Sequence, residues 1–273
     1  MKNESGFITF LYTTPIGRII LKAITNKHIS DLSRLVLATP VSKPIIKRFI
    51  KNNNIDMSLY QNKKYKSFND FFVRKRVNID IDNDSTSFVS PCDGYLTVYD
   101  INENSFFKVK NSIYSLSELL QDEQLAKEFC GGKCFIYRLT PKHFHRYSFI
   151  DDGKIIYTKK IPGILHCVRP VALDNYPVYI QNQREYAVIE TTNFGKVIQM
   201  EVGAIIVGRI NNNTNHKQFK RGEEKGYFEF GGSTIIVLTK KDVVIPDKSI
   251  ADNSKCNIET DVNIGQKTAT KIQ

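Results

Sequence analysis

Two glycines followed by two hydroxyl side chains interrupt a strand-like stretch in the last part of the 273-residue chain. Aromatic residues precede Gly231 and Gly232, and a run of β-branched and aliphatic residues follows Ser233 and Thr234. A glycine carbonyl has no side chain to shield it, so the Ser233 hydroxyl could attack the carbonyl of Gly232. The same pattern is also typical of a β-bulge that carries polar side chains. Taken alone, the stretch favours the bulge.

Two histidines and an arginine lie close together in residues 135–148. His143 and His145 are predicted to fall on one side of an extended segment, and Arg146 adds a fixed positive charge. Because an imidazole can take up or release a proton near neutral pH, this segment carries the groups that an acid–base site uses. A lone histidine is usually structural, but two histidines and an arginine beside Pro141 favour a site.

One carboxylate, Asp93, lies in a predicted turn that Pro91 begins and Gly94 closes. In isolation this residue is most simply a turn acceptor for backbone amides.

The cysteines are odd in number and scattered, and the spacing of Cys130 and Cys134 ahead of the histidines matches no usual zinc pattern, so no metal site is predicted. The scattered cysteines, together with a first segment too polar for a signal peptide, favour a reducing intracellular compartment.

Positive charge is concentrated in the first 80 residues, which carry +10 of the formal net charge of +11. Helices predicted over residues 16–24, over residues 31–37 and from Pro44 onward have apolar faces with lysine and arginine around them. Such helices suit a segment that lies in a membrane interface, and they also suit a helical cap on the core. The charge indicates an anionic partner or simply a solvated face. Since no zinc finger, RNP-type signature or helix-turn-helix is found, a membrane is favoured over nucleic acid.

The rest of the chain predicts a body of strands that a short helix connects to the basic segment. Ser67 is a suitable N-cap for a helix with phenylalanines on one face, and another helix is predicted over residues 115–129. Strands are predicted at residues 154–159, 164–168, 186–191, 195–200 and 202–210. The residues after Pro246 include few apolar side chains and predict a mobile tail. We therefore expect a basic helical membrane-facing segment (1–80), a β-rich catalytic body (81–245) and a polar C-terminal tail (246–273). The sequence has no run of about 18 apolar residues, so no membrane-spanning helix is predicted.

The chain from about residue 10 to about residue 240 resembles the phosphatidylserine decarboxylases of the clostridial type, and seven short motifs carry the resemblance. Each motif is weak alone, but all seven occur in the family's order. The motifs are Phe68-Asn-Asp-Phe-Phe-Val-Arg74, Ser90-Pro-Cys-Asp-Gly94, Arg138-Leu-Thr-Pro-Lys-His-Phe-His-Arg146, Val168-Arg-Pro170, Asn182-Gln-Arg184, Val202-Gly-Ala204 with Val207-Gly208, and Gly226-Tyr-Phe-Glu-Phe-Gly-Gly-Ser-Thr234. The resemblance implies an α+β fold, mainly antiparallel β with a sandwich-like core and short N-terminal helices.

The resemblance also implies an enzyme that processes itself. Ser233 would attack the Gly232 carbonyl, cleave the chain into a β chain (1–232) and an α chain (233–273), and become a covalent pyruvoyl cofactor. Cleavage would fall within the last core strand, so the two chains should stay associated. A Schiff base between the pyruvoyl group and phosphatidylserine would then release CO₂ and give phosphatidylethanolamine. The implied setting is peripheral, on the cytoplasmic side of the cell membrane, with anionic phospholipid and no nucleic acid as partner.

The family's residue roles carry over by position. Asp93 matches the aspartate of a triad that orients a histidine base for Ser233, and His145 matches the proton donor of the decarboxylation step. The family places the triad histidine where this sequence has Ser148, and it usually has aspartate at His143. His143, Ser148 and Arg146 remain possible supporting residues, and Arg209 stands where serine is usual. The alternative is a non-processing, catalytically inactive homologue that binds membrane lipid.

Overall fold

The structure is a computed structural model that describes residues 6–25, 35–109, 112–204, 209–213, 217–230 and 233–272. Within these residues the fold is α+β with mostly antiparallel strands and short N-terminal helices, which confirms the predicted fold class. Parts of three predictions lie outside the described residues: the start of the helix at 31–37, the middle of the strand at 202–210, and Gly231 with Gly232.

The helices are α1 (Gly6–Thr13), α2 (Pro15–Ile24), α3 (Lys43–Asn53), α4 (Phe68–Phe72), α5 (Leu116–Leu120), α6 (Glu123–Lys127), α7 (Pro170–Asn175), α8 (Val178–Gln181) and α9 (Lys248–Lys255), with 3₁₀ turns at Pro40–Ser42 and Met57–Leu59. The strands are β1 (Ser87–Val89), β2 (Gly94–Asp100), β3 (Phe106–Val109), β4 (Ser112–Ser115), β5 (Lys133–Leu139), β6 (Arg146–Ser148), β7 (Gly153–Ile161), β8 (Arg184–Thr191), β9 (Gly195–Gly203), β10 (Ile210–Asn212), β11 (Gln218–Phe219), β12 (Glu224–Phe228), β13 (Ser233–Thr239), β14 (Val244–Pro246), β15 (Thr260–Val262) and β16 (Lys267–Lys271).

The largest sheet has eight strands in the order β11-β7-β8-β9-β13-β5-β2-β15, and all neighbours are antiparallel. Strand β13 lies inside this sheet, between β9 and β5, and each of its seven residues is buried. A strand covered on both faces needs apolar side chains in both directions, which explains the continuous run from Ile235 to Leu238. The β-branched residues of this run also favour the extended backbone.

Each face of the large sheet packs on a separate hydrophobic core. Ile236 and Leu238 of β13 join a core that includes Leu11 and Leu21 of the N-terminal helices. Ile235 and Val237 point to the other face and join a core with residues of two small sheets, β1-β16-β14 and β10-β12-β6. Helices and the β3-β4 pair thus cover one face, and short strands with helix α9 cover the other, which gives the sandwich-like body.

Helix α4 connects the N-terminal segment to the body, as predicted. The Ser67 hydroxyl accepts a hydrogen bond from Asp70 N at 3.2 Å and caps the helix. Phe68 and Phe72 are buried and pack edge to face on Phe49 of α3 and Phe230, which follows β12. The aromatic cluster therefore fixes α3 and α4 beside the segment that leads to residue 233.

Helix α2 has two apolar faces with different surroundings. Leu21 is buried against the body, whereas Ile16 and Ile19 are 66% and 73% exposed next to exposed Arg18 and Lys22. The helix therefore caps the core and also presents apolar side chains among cations. Within the residues that the structure describes, no helix is both long and apolar enough to cross a bilayer.

The prediction of a mobile C-terminal tail is wrong. Residues 248–271 form helix α9 and strands β15 and β16, and β16 lies between β1 and β14. Val262, Ile264 and Ala269 are buried in this segment. Because the backbone hydrogen bonds of the strands provide the remaining attachment to the body, the segment is ordered with few apolar side chains. Composition alone underestimated this segment, because sheet pairing depends on backbone groups that every residue has.

Several predicted elements are interrupted. The helix predicted at 115–129 is two helices, because Gln121 adopts a left-handed conformation and the Asp122 side chain accepts from Leu125 N to begin α6. Residues 164–168 form only one isolated bridge, from Ile164 to Asn182, so the strand predicted there is wrong. The residues on the two sides of Gly231-Gly232 belong to different sheets, since β12 ends at Phe228 and β13 begins at Ser233. The prediction that cleavage falls within the last core strand is wrong, because Ser233 is the first residue of β13, β12 ends at Phe228, and three further strands follow β13.

Candidate active site

Ser233 is the first residue of the interior strand β13 and is completely buried. Its register neighbours are Leu139, the last residue of β5, and Gly203, the last residue of β9. The serine therefore lies at an end of the large sheet, where three neighbouring strands begin or stop together. The predicted cleavage partner, Gly232, lies outside the described residues.

His145 contacts the Ser233 hydroxyl. Its Nδ1 atom is 3.1 Å from Ser233 Oγ, and its Nε2 atom is 3.1 Å from the carbonyl oxygen of Thr140. The ring packs on Phe72, with centroids 4.2 Å apart, and only 1% of the residue is exposed. Thr140 of the irregular segment 140–145 thus holds one ring nitrogen, and the other contacts Ser233 of β13.

The Thr140 carbonyl determines the state of the His145 ring. A carbonyl oxygen only accepts hydrogen bonds, so Nε2 carries the hydrogen and, in the neutral ring, Nδ1 has its lone pair toward Ser233. Burial, with the positive charge of Arg74 as the next cause, lowers the pKa of His145 to about 3. The ring is therefore neutral near physiological pH and can accept a proton.

Arg74 supports this segment from the end of α4. The guanidinium is buried, stacks over Tyr60 with 4.4 Å between the Cζ atom and the ring centroid, and donates through Nη2 to the carbonyl oxygen of His143 at 3.3 Å. The aromatic contacts and the carbonyl stabilise a buried cation that has no carboxylate partner among the described contacts, although its Nε has no hydrogen-bond partner there. Sequence reasoning used Arg74 only as a motif residue and missed this support.

Asp93 is held by groups other than a histidine. Its carboxylate accepts from Arg76 Nη2 at 2.5 Å, from Ile264 N at 3.0 Å and from Phe144 N at 3.4 Å. Burial raises the pKa of the carboxyl group, while Arg76 and the two amides oppose that rise. Among the described contacts none joins Asp93 to His145 or Ser233. Asp93 instead connects the turn after β1 to the backbone beside His145.

Comparison with known proteins finds relatives over nearly the whole length of this chain. A profile of the family described as phosphatidylserine decarboxylase matches residues 68–270. The phosphatidylserine decarboxylase proenzyme 2 of Clostridium acetobutylicum is 45% identical over 267 residues, which cover 97% of this chain and 91% of that protein. The chain belongs to the phosphatidylserine decarboxylase family. The phosphatidylserine decarboxylase proenzymes of Clostridium perfringens and Fusobacterium nucleatum are 40% and 39% identical, over 97% and 96% of this chain and 93% and 90% of their own lengths.

Membership of the phosphatidylserine decarboxylase family confirms the resemblance seen in the sequence motifs. It also confirms the predicted class of enzyme, a carboxy-lyase. The roles of single residues stay predictions, and the geometry shows where each of them lies.

Ser148, at the position to which the resemblance assigns the triad histidine, binds another segment of the chain. Its amide and hydroxyl both donate to the carbonyl oxygen of Pro91, at 2.8 and 3.4 Å. Ser148 is buried as part of the short strand β6, which pairs with β12. The described contacts therefore bring His145 to Ser233 but bring neither Ser148 nor Asp93 to it.

The other two predicted residues have separate partners. His143 Nδ1 accepts from Thr140 N at 2.9 Å, and burial followed by the charge of Lys142 lowers the pKa of His143 to about 4. Arg146 donates from Nε to the carbonyl oxygen of Val73 at 2.9 Å and pairs with a glutamate of β12. Because residues 141–145 form a turn and an irregular stretch, the prediction that both histidines share one side of an extended segment is wrong.

Sequence reasoning missed two further contributors, Thr140 and Arg76. The part that Thr140 contributes is a backbone carbonyl, which every residue has, so no side-chain pattern could have indicated it. Arg76 was counted only as surface charge in the basic segment, although its side chain is 14% exposed and pairs with Asp93. Within the described part of the chain, no group of three or more His, Cys, Asp or Glu side chains is arranged to hold a metal ion.

Proposed function

We propose that this chain is a proenzyme that cleaves itself between Gly232 and Ser233 and then decarboxylates phosphatidylserine to phosphatidylethanolamine. The family membership supports the overall reaction. The single observation that carries the proposal for this chain is the contact between Ser233 Oγ and His145 Nδ1 at 3.1 Å, which pairs a nucleophile with a proton acceptor.

The maturation that we propose converts one side chain in three steps. Ser233 Oγ attacks the carbonyl carbon of Gly232 and the peptide C–N bond breaks, so an ester replaces the amide. Loss of the Cα proton of residue 233 then expels the ester oxygen with Gly232 as a carboxylate and leaves dehydroalanine. The dehydroalanine tautomerises to an imine, which takes up water and releases ammonia to leave a pyruvoyl group.

A pyruvoyl group at residue 233 would supply the carbonyl that takes up the substrate amine and the electron pair of the C–C bond to the departing CO₂. The surroundings of residue 233 support such a group, because the residue is shielded from water and a histidine contacts its side chain. We assign to His145 the transfer of the proton that replaces CO₂ on the substrate carbon: Nδ1 would take up the proton that the substrate ammonium loses as its nitrogen attacks, and would then give that proton to the carbon. Burial of the site restricts the access of other proton donors.

The two products of cleavage are expected to remain together. In the α chain (233–273), β13 is hydrogen-bonded on both sides to strands of the β chain (1–232). β15 pairs with β2, and β16 pairs with β1 of the β chain. Separation of the chains would expose the buried run of β13 and a row of unpaired backbone groups, which is costly.

The exposed face of α2 supports attachment to an anionic membrane surface, which we assign to the cytoplasmic side as the family resemblance implies. Ile16 and Ile19 are exposed among Arg18 and Lys22, in a segment with most of the net charge. Each surface-proximal cation contributes roughly 1 kcal/mol to binding of anionic lipid, so a few engaged residues suffice for reversible peripheral binding. This location also suits a substrate that is itself an anionic lipid.

Intact-mass spectrometry of the purified protein beside a Ser233→Ala control tests the proposal. We expect the wild-type protein to give two chains divided after Gly232, with the α chain lighter than its encoded sequence by one ammonia. Gel filtration should show that the chains migrate together, and vesicles with phosphatidylserine should lose CO₂ only with the wild-type protein.

A second candidate function, an inactive homologue that binds lipid, is favoured by Ser148 at the position of the family's histidine. It predicts a single 31.3 kDa chain in both samples. A wild-type chain that stays intact after prolonged incubation would therefore reject the proposed self-cleavage.

A further inference from the structure

We propose that His145 is the general base that removes the proton from Ser233 Oγ during self-cleavage, and that the carbonyl of Thr140 orients it in place of a carboxylate. This inference rests on the proposed function, because it concerns the cleavage that forms the active enzyme. It assigns to His145 a maturation role in addition to the proton donation that we assign to it in decarboxylation.

The position of the base follows from the register of the large sheet. Leu139 of β5 is the direct strand partner of Ser233, and Thr140 is the next residue in the chain. The carbonyl of Thr140 lies 3.1 Å from Nε2 of His145, and the opposite side of the ring lies 3.1 Å from Ser233 Oγ. The strand that pairs with the nucleophile thus also supplies the group that orients its base.

Thr140 is also held through its backbone amide. Thr140 N donates to Nδ1 of His143 at 2.9 Å, and Arg74 holds the carbonyl of the same histidine. The residue whose carbonyl faces His145 is therefore hydrogen-bonded through its own amide as well. A rigid acceptor of this kind selects the Nε2–H form of the ring and so leaves the Nδ1 lone pair for the serine.

The other candidate bases are engaged elsewhere. The Nδ1 lone pair of His143 accepts from Thr140 N, and its Nε2 lies 3.6 Å from Asp261 Oδ1. Asp93 accepts from Arg76 and two amides, and the hydroxyl of Ser148 donates to Pro91. Of the site residues predicted from the sequence, His145 is the one that the described contacts bring within proton-transfer distance of Ser233 Oγ.

The proton balances within the first step of maturation. As Ser233 Oγ bonds to the Gly232 carbonyl carbon, Nδ1 of His145 takes the hydroxyl proton. As the C–N bond breaks, the same atom returns that proton to the nitrogen of residue 233, so the ring ends neutral. The low pKa that burial and Arg74 impose favours rapid return of the proton and makes the base weak. A weak base suffices for a reaction that happens once per molecule.

Cell-free synthesis of the full-length chain, followed by intact mass over time, tests this assignment. We expect His145→Ala and His145→Gln to slow cleavage by about 10² to 10⁴-fold, the usual contribution of a positioned general base. Ser148→Ala is the matched control, since this change also alters a buried polar residue of the same segment, and we expect it to cleave at close to the wild-type rate. Ser233→Ala gives the melting temperature of the uncleaved fold, against which each variant is compared.

Hydroxylamine separates the acyl shift from the later steps, because it cleaves an ester between residues 232 and 233 and leaves an amide intact. The assignment expects the uncleaved His145 variants to resist hydroxylamine. Wild-type cleavage rates in folded His145→Ala or His145→Gln, an equal loss in Ser148→Ala, or an ester that accumulates and is cleaved by hydroxylamine would each overturn it and leave the proposed function standing. A wild-type chain that never cleaves would instead reject the proposed function itself.

Discussion

The carboxylate of Asp93 provides the sharpest test of how this site is built. The geometry indicates that Asp93 joins Arg76 to the amides of Ile264 and Phe144, and that it does not orient the base for Ser233. We therefore expect Asp93→Asn to lower stability much more than it lowers the intrinsic rate of self-cleavage. A carboxylate that orients a triad histidine would behave in the opposite way.

The expected size of the loss follows from burial. The side chain of Asp93 is 6% exposed and that of Arg76 is 14% exposed, so the pair is desolvated. Removal of one partner of a buried ion pair costs about 3 to 5 kcal/mol, because the other charge stays buried without compensation. Asparagine can still accept from Ile264 N, so we expect a loss of about 3 kcal/mol in the free energy of unfolding.

Urea unfolding in the Ser233→Ala background measures this loss, because all chains are then uncleaved. The double change Asp93→Asn with Arg76→Met should restore part of the loss, with a coupling energy of about 1 to 3 kcal/mol. In the processing-competent background, intact mass over time should show cleavage of Asp93→Asn within about tenfold of the wild-type rate, well above the effect of a lost triad carboxylate.

The result that refutes this reasoning is specific. Loss of an orienting carboxylate in a catalytic triad costs roughly 10⁴ in rate with little change in geometry. If Asp93→Asn stopped cleavage to that extent and left the unfolding free energy unchanged, Asp93 would act on the base, and its role as a structural connection would be wrong.

Three further predictions concern pH, a buried ion pair and the membrane. Between the ordinary histidine pKa of 6.5 and about 3, the unfolded chain binds a proton at residue 145 and the folded chain does not, so the unfolding free energy should fall as pH drops through this range. His145→Gln in the Ser233→Ala background should reduce that slope in urea titrations, and an unchanged slope would contradict the pKa assignment. His143, above about pH 4, and His166, whose pKa burial also lowers, contribute to the slope that remains. Lys225→Met leaves the Glu201 carboxylate buried without its ion-pair partner and should lower the free energy of unfolding in urea by about 3 to 5 kcal/mol. Adding Glu201→Leu should recover most of this loss. Additive losses in the double variant would show that the two residues are not coupled. Ile16→Asp should weaken sedimentation of the protein with phosphatidylserine vesicles. Ile113→Asp is the control, because Ile113 is 65% exposed and Ile16 is 66% exposed, and it should leave sedimentation unchanged. Equal effects of the two changes would reject α2 as the docking face.

The sequence by itself determined the elements whose signals are local. Helix α4 follows from the Ser67 cap and the spacing of its phenylalanines, and interior strand β13 follows from its uninterrupted apolar run. The family, the enzyme class and the α+β fold class also followed from short motifs in order along the chain. All of these depend on residue types at close spacing, which the printed sequence displays directly.

Only the tertiary structure decided which groups meet. His145 and Ser233 are 88 residues apart, and their contact depends on the register of β5 with β13 and on the turn that follows β5. The pairing of Arg76 with Asp93 depends on how the basic segment folds back on the body. The strands of the C-terminal segment form because β16 pairs with β1 and β14 and because β15 pairs with β2. Such contacts are set by backbone pairing and by burial over long separations. A carbonyl such as that of Thr140 carries no side-chain signal, so the sequence alone could not reveal its part in the site.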